Sequence, residues 1–277
     1  MTTGVVVIAA GRHEHVRRTI SALAAQWVSP ARTVLVDLGS SPPLADLVGD
    51  DVDVVELRGD TSGGLPLAAA RNLGAARAGT GCVVFLDADC IASPDLVARY
   101  EQVLADHPDQ LACGPVRYLR RGWTTGLGER VNVEGLVAGS DAPTARPAPA
   151  AGSVVVDGRH ELFWSLSFGV SAATWDVLGG FDTGYVGYGA EDTDLAYRAR
   201  SLGRSLAWFG GGTAFHQWHP PSRLDPARTV ELVRNAHRFR RRWGRWPMDG
   251  WLHELAAAGR VEFDPAADRL ALVGPSS

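Results

Sequence analysis

The chain has 277 residues, with an apolar share of 45%, a charged share of 21% and a formal net charge of -4. That is the make-up of a soluble globular protein, long enough for one large α/β domain or a domain with a small appendage. It excludes a surface field that would draw in nucleic acid. The odd set of three cysteines, Cys82, Cys90 and Cys113, has no zinc-type pairing and points to reduced thiols and a cytoplasmic setting.

The opening MTTGVVVIAAGRHEH is apolar for too few residues to be a signal sequence or membrane span, and it reads as a first strand over Val5 to Ala9. Ile20, Leu23, Ala24 and Trp27 follow at helical spacing. Thr33 to Val36 is a second buried strand, ending at Asp37, and Val52 to Leu57 a third. Leu67 to Ala78 predicts a helix closed by Gly79, and Cys82 to Leu86 a fourth strand ending at Asp87. Ser93-Pro94 supplies an N-cap and first-turn proline for a helix through Leu104. This alternation predicts an α/β fold with a mainly parallel, doubly wound, Rossmann-like sheet flanked by helices. Ligands of such sheets sit beyond the carboxyl ends of the strands, where Asp37 and Asp87 fall. Residues 139–152, GSDAPTARPAPAAG, read as a mobile loop able to order over a ligand. Phe163 to Val170 reads as a strand, Asp192 to Leu202 as a helix closed by Gly203, and Ser205 to Phe209 as a strand. Asp225-Pro226 begins a helix reaching about Trp243. A last helix near Trp251 to Ala258 and a short strand near Val261 complete the chain.

Three motifs carry chemistry. Asp87-Ala88-Asp89 closes an apolar strand, so two carboxylates one residue apart can approach one divalent cation. A solvated turn explains the same triplet, and alone the motif is weak. Gly187-Tyr188-Gly189-Ala190-Glu191-Asp192-Thr193-Asp194 opens a helix. Capping and the helix dipole account for one or two of its acids. They do not account for the glycines, which let a backbone run close to a ligand, and a carboxylate held there can serve as general base to an acceptor hydroxyl. Phe215-His216-Gln217-Trp218-His219-Pro220-Pro221 sets two histidines around a tryptophan on a rigid turn. Imidazole completes a metal site begun by carboxylates, but spacing does not choose between His216 and His219. Arg12 and Arg71 are candidates for base or phosphate contact, with a surface salt bridge as the alternative. Trp164 and Trp175 flank the acceptor side or pack in the core. The run from His237 to Trp243 is a solvated basic face, or one that meets an anionic lipid or acidic partner.

In order and spacing these pieces resemble the GT-A fold glycosyltransferases, specifically glycosyltransferase family 2, over roughly residues 4–220. The later part also resembles the C-terminal segment of galactosyltransferases and polypeptide N-acetylgalactosaminyltransferases. The matching segments are the first strand with its Arg12 loop, Val36-Asp37-Leu38-Gly39-Ser40, Ala70-Arg71-Asn72-Leu73-Gly74, Phe85-Leu86-Asp87-Ala88-Asp89, Gly179-Gly180-Phe181-Asp182 and Gly189-Ala190-Glu191-Asp192-Thr193-Asp194-Leu195. The resemblance implies a GT-A domain over residues 1–222, with a nucleotide half to about 115 and an acceptor and metal half from about 116. A helical extension over 223–277 would pack on it. It also implies a nucleotide-sugar site of Ala10, Arg12, Asp37, Arg71, Asp87, Ala88 and Asp89. Asp37 would meet base or ribose, Arg71 the nucleotide, and Asp87 the ribose or sugar. Asp89 would hold Mn2+ or Mg2+ with His216 and His219 as candidate partners. Asp192 would be the base of an inverting transfer, and Glu191 would orient acceptor or donor sugar. Trp164, Gly189 and Glu191 would face the acceptor. The family often carries a second acid where this chain has Leu38, which weakens the expectation of a uracil base.

The expected activity is metal-dependent hexosyl transfer from a nucleotide-diphosphate sugar, UDP-sugar first, to a hydroxyl of a sugar, small molecule or lipid-linked acceptor. A sugar-nucleotide nucleotidyltransferase and a non-catalytic nucleotide- or sugar-binding protein are the alternatives. The lack of Gly-x-Gly-x-x-Gly after the first strand disfavours a dinucleotide oxidoreductase.

Overall fold

A computed structural model describes residues 2–59, 61–123, 131–220 and 225–273. The strands β1 (Thr3–Ala9), β2 (Arg32–Asp37), β3 (Val52–Glu56) and β4 (Cys82–Leu86) pair in parallel in the order β3-β2-β1-β4. Their β-branched runs alternate between two cores. Val5, Val7 and Ala9 pack with α1 (His13–Ala24), while Val6 and Ile8 pack with α2 (Leu67–Ala78). Alanines and Gly74 bring α2 close, and a Cβ at Gly74 would stand 2.3 Å from Val6.

Past β4 the short β5 (Cys90–Ala92) leaves the main sheet, and α3 (Leu96–Asp106) packs on the same face as α1. β6 (Leu111–Cys113) returns to the main sheet. β7 (Val116–Leu119), α4 (Val133–Ala138), β8 (Ser140–Asp141), β9 (Val154–Asp157), β10 (Ser167–Ser171), α5 (Ala172–Leu178), α6 (Glu191–Ser201), β11 (Leu206–Phe209) and β12 (Ala214–His216) follow. The main sheet runs β3-β2-β1-β4-β10-β6-β11-β9, and a second sheet runs β5-β12-β7-β8. Only β10 and β9 oppose the common direction of the main sheet, so it is mainly parallel and doubly wound as expected. The second sheet has no counterpart in the sequence reading.

The C-terminal segment forms α7 (Pro226–Trp243), α8 (Asp249–Ala257) and a hairpin of β13 (Val261–Asp264) and β14 (Arg269–Leu272). Asp225 caps α7 through Ala227 N–H at 2.9 Å, with proline in the first turn, and Gly244 closes it in the left-handed region. Leu232, Val233, Ala236, Leu252, Leu255, Val261 and Leu270 form its small core. Pro221 and the expected boundary at 222–223 lie outside the described residues.

Several sequence expectations are corrected. Trp27 lies beyond the end of α1 and is 77% exposed. The helix after Ser93-Pro94 starts at Leu96. The Ser93 hydroxyl donates to Asp95 at 2.5 Å, and Asp95 accepts the Gly212 N–H at 2.8 Å instead of capping α3. Phe163 to Leu166 is not strand, because the Ser165 N–H turns toward Asp192 at 3.4 Å. Residues 139–152 are fastened rather than free. Ser140–Asp141 pairs with β7, Ala151 bridges Gly210, and Arg146 is buried with Cζ 5.0 Å from the Trp164 ring and 4.6 Å from the Trp208 ring.

Candidate active site

The carboxyl edge of β4 delivers Asp87, and a tight turn closed by Cys90 N–H to the Asp87 carbonyl (2.9 Å) brings Asp89 round. The second sheet supplies its partners. His216 of β12 stands in register with Cys90 of β5 and with Tyr118 of β7, and Gln217 N–H donates to the Asp89 carbonyl at 2.7 Å. Asp89, His216 and His219 thereby bring one ligand atom each within 4.8 Å of one another. His216 Nε2 lies 3.5 Å from Asp89 Oδ1, and His219 Nε2 lies 3.4 Å from Oδ2. His219 Nδ1 donates to the Pro220 carbonyl at 2.9 Å, which leaves Nε2 facing the cluster. Arg12 reaches the same carboxylate and forms an ion pair with Oδ2. Oδ1 of Asp89 is buried without a hydrogen-bond partner among the described residues. Burial pushes the Asp89 carboxyl up. The His219 contact and the charges of His216 and Arg12 outweigh it and hold the carboxyl down at about 2. The same contact raises His219 against its own burial. An anion with an orphaned oxygen and two imidazoles fits a divalent cation.

Arg71 lies next to this cluster. Only 5% of it is exposed, so it is no surface salt bridge. It donates to Glu191 at 3.1 Å and to Asp87 at 3.3 Å, with its Cζ 5.3 Å from the Phe181 ring. One buried cation thus joins the strand-end acid to the first acid of α6. Burial, and then the charge of Asp192, raise Glu191 to about 7 despite Arg71. Glu191 Oε2 is buried without a partner among the described residues. Asp192 is half-buried and more open. Its Oδ1 accepts Thr193 N–H at 2.6 Å, and its Oδ2 accepts Ser165 N–H at 3.4 Å. Burial raises its carboxyl too.

Asp37 is buried, and its two oxygens accept the N–H groups of Ser40 (2.8 Å) and Leu44 (2.9 Å). It therefore shapes the 38–44 loop, and the Ser40 hydroxyl in turn accepts Gly11 N–H at 2.8 Å. Ala10 lies in that same loop junction, and Arg12 turns through the left-handed region at φ 55° to aim at Asp89. Ala88 is buried, and its carbonyl accepts the Thr19 hydroxyl at 2.9 Å.

The glycine approach to α6 has a different cause from the one expected. A Cβ at Gly187 would stand 2.5 Å from Glu231, and one at Gly189 would stand 2.6 Å from Leu232. Both glycines make room for α7. Ala190 is fully buried at φ 70°, a strained setting for a side chain, directly before Glu191. Asp194, fully buried, is not presented to the cleft. It accepts Arg198 at 2.9 Å, Trp243 Nε1 at 2.9 Å and the Tyr185 hydroxyl at 3.3 Å, and it pairs with Arg242 at 3.2 Å. Trp175 packs on Phe85 and Phe181 in the core. Trp164 is half-buried with one face turned to Arg146. Tyr118, Arg146 and Ser165, none of them in a motif, complete the surroundings; the second sheet brings in Tyr118, the 139–152 loop Arg146, and the turn before β10 Ser165.

The mainly parallel, doubly wound sheet with acids at its carboxyl edge is the arrangement expected of the GT-A fold. Residues 4–132 match the family described as glycosyl transferase family 2. It is 28% identical over 261 residues to a validoxylamine A glucosyltransferase of Streptomyces hygroscopicus subsp. limoneus, covering 86% of this chain and 56% of that protein. It is 27% identical over 248 residues to one of S. hygroscopicus subsp. jinggangensis (strain 5008), covering 81% and 57%. The chain thus spans little more than half the length of these relatives. A crystal structure of S. aureus TarS 1-349 shares the fold at TM-score 0.57 and 13% identity, over 87% of this chain and 66% of that one. A crystal structure of GalNAc-T7 with UDP, GalNAc and Mn2+ shares it at TM-score 0.53 and 15% identity, over 80% and 45%.

Proposed function

We propose that the chain transfers a sugar from a nucleotide-diphosphate donor, UDP-sugar first, to a hydroxyl acceptor with inversion. The observation that carries this reading is the convergence of Asp89, His216 and His219 beside the Arg71-joined carboxylates of Asp87 and Glu191. Asp89, His216 and His219 would hold Mn2+ or Mg2+, and two imidazoles favour manganese. Such an ion, when bound, supplies positive charge against the diphosphate that departs. Arg12 pairs with the same carboxylate and, once a metal displaced it, would turn its guanidinium to a phosphate. Arg71 holds Asp87 and Glu191 in place toward ribose and sugar.

Asp192 is the base in this reading. N–H donors favour the charged form of its half-open carboxylate, while burial makes it more basic than a solvated aspartate. It takes the proton of the acceptor hydroxyl as that oxygen attacks the anomeric carbon. Glu191 is pinned to Arg71 and orients rather than deprotonates. Trp164 and the backbone at Gly189 border the acceptor. GalNAc-T7 binds UDP and Mn2+ in its crystal structure, which supports the donor and metal classes. A thermal-shift screen of nucleoside diphosphates and their sugars, with and without manganese, tests the reading. A metal-dependent rise for one base is expected, and no rise with any nucleotide would sink it. Pyrophosphate released from a nucleoside triphosphate and a sugar phosphate would instead establish nucleotidyl transfer.

A further inference from the structure

The basic run at the end of α7 lies outside the site described above. Arg238, Arg241 and Arg242 stand three and four residues apart on the last turns of α7, and Arg245 follows just past its Gly244 cap. Arg238, Arg241 and Arg242 line an open cleft of about 270 Å³ together with Asp182. Arg200, from the end of α6, completes the group. Its Cζ lies 6.0 Å from the Tyr197 ring, and the Cζ of Arg245 lies 5.8 Å from that same ring.

The carboxylates present do not neutralise this group. Asp182 accepts Arg238 at 2.9 Å and Arg242 at 3.2 Å, and Asp194 takes Arg242 and Arg198 from below. Arg200, Arg241 and Arg245 are exposed and form no ion pair with any described residue. A helix dipole explains arginines in the last turn of α7. It does not explain Arg200 of α6 and Arg245, just past the end of α7, meeting over the one Tyr197 ring. Each guanidinium offers five N–H donors in a planar fork, the geometry of a phosphate oxyanion. The chain as a whole is acidic, at -4, so this is a local basic face rather than a general excess.

We infer that Arg200, Arg238, Arg241, Arg242 and Arg245 form a docking face for clustered phosphate groups, those of an anionic phospholipid surface. No helix among the described residues is long and apolar enough to cross a membrane. The inference does not depend on the transfer reading, since docking requires no substrate.

Co-sedimentation of the full chain with vesicles tests it. Vesicles of phosphatidylglycerol and phosphatidylcholine should retain the protein, and pure phosphatidylcholine should not. Binding should collapse in about 0.5 M salt, because surface attraction is screened within a few ångströms there. Arg241→Glu with Arg245→Glu should weaken binding more than about tenfold, and the paired Lys substitutions should keep most of it. Both side chains are exposed and form no ion pair with a described residue, so an unchanged melting temperature will show an intact fold. Equal vesicle binding by parent and Glu variant would overturn the assignment. So would an arginine-dependent thermal shift with tripolyphosphate but no vesicle binding, which would make the face a site for free oligophosphate.

Discussion

Asp89 offers the sharpest test, because its present partners and a bound metal would compete for the same oxygens. A fall of its carboxyl from the ordinary 3.8 to about 2 corresponds to roughly 2 kcal/mol of native-state stabilisation. The folded value lies below the unfolded one, so this contribution is present above about pH 4 and is lost as pH falls toward 2. Asp89→Asn should therefore lower metal-free stability at pH 7 by about 2 kcal/mol. Manganese at a hundred times its Kd should add about 2.7 kcal/mol to the parent, a rise in Tm of roughly 5–10 °C. Asp89→Asn, and His216→Ala with His219→Ala, should lose that rise. Arg12 has the opposite sign. Its side chain is 40% exposed, so its pair with Asp89 is worth only about 1 kcal/mol. Arg12→Ala should tighten manganese roughly fivefold by removing a competing cation. The proton competes as well. Contact with Asp89 raises His219, so manganese must displace a proton held more tightly than on a free imidazole, and the rise should fade as pH falls. Differential scanning calorimetry across manganese and pH reads all of these. A full manganese rise in the Asp89→Asn protein, or weaker manganese binding after Arg12→Ala, would refute the competition.

Further outcomes follow from the other buried groups. Asp192→Asn should abolish transfer and leave donor binding in place; turnover within twofold of the parent would refute the base assignment. Glu191 is raised from 4.5 to about 7, so the folded protein keeps its proton longer than the unfolded chain and stability falls as pH climbs through that window. Glu191→Gln should flatten this fall, which urea melts between pH 4.5 and 7.5 will detect. Asp194→Ala should cost about 3–5 kcal/mol by leaving Arg198 and Arg242 short of their buried partner, seen as a lower urea midpoint. Gly189→Ala forces a Cβ to 2.6 Å from Leu232 at φ 101° and should destabilise by roughly 1–3 kcal/mol, with acceptor turnover falling as the start of α6 shifts.

What the sequence disclosed follows from which forces are local. The parallel half was legible because buried strands need continuous β-branched runs and their helices need apolar faces. Leu67–Ala78 and Cys82–Leu86 came out residue for residue. The second sheet was illegible because β5, β12, β7 and β8 have two to four residues each, and the pairing of Cys90 with His216 spans the whole fold. Yet that pairing is what brings both histidines to Asp89, so spacing alone left the choice between them open. The glycines before Glu191 show the reverse case. Sequence gave them a ligand, while their missing side chains are filled by Glu231 and Leu232 of α7. The C-terminal helix therefore sets the backbone from which Glu191 and Asp192 project, and its arginines hold Asp182 and Asp194 from behind. A helix beyond the matched family domain is thus a structural part of the site, and removing it should cost the geometry of both acids as well as stability.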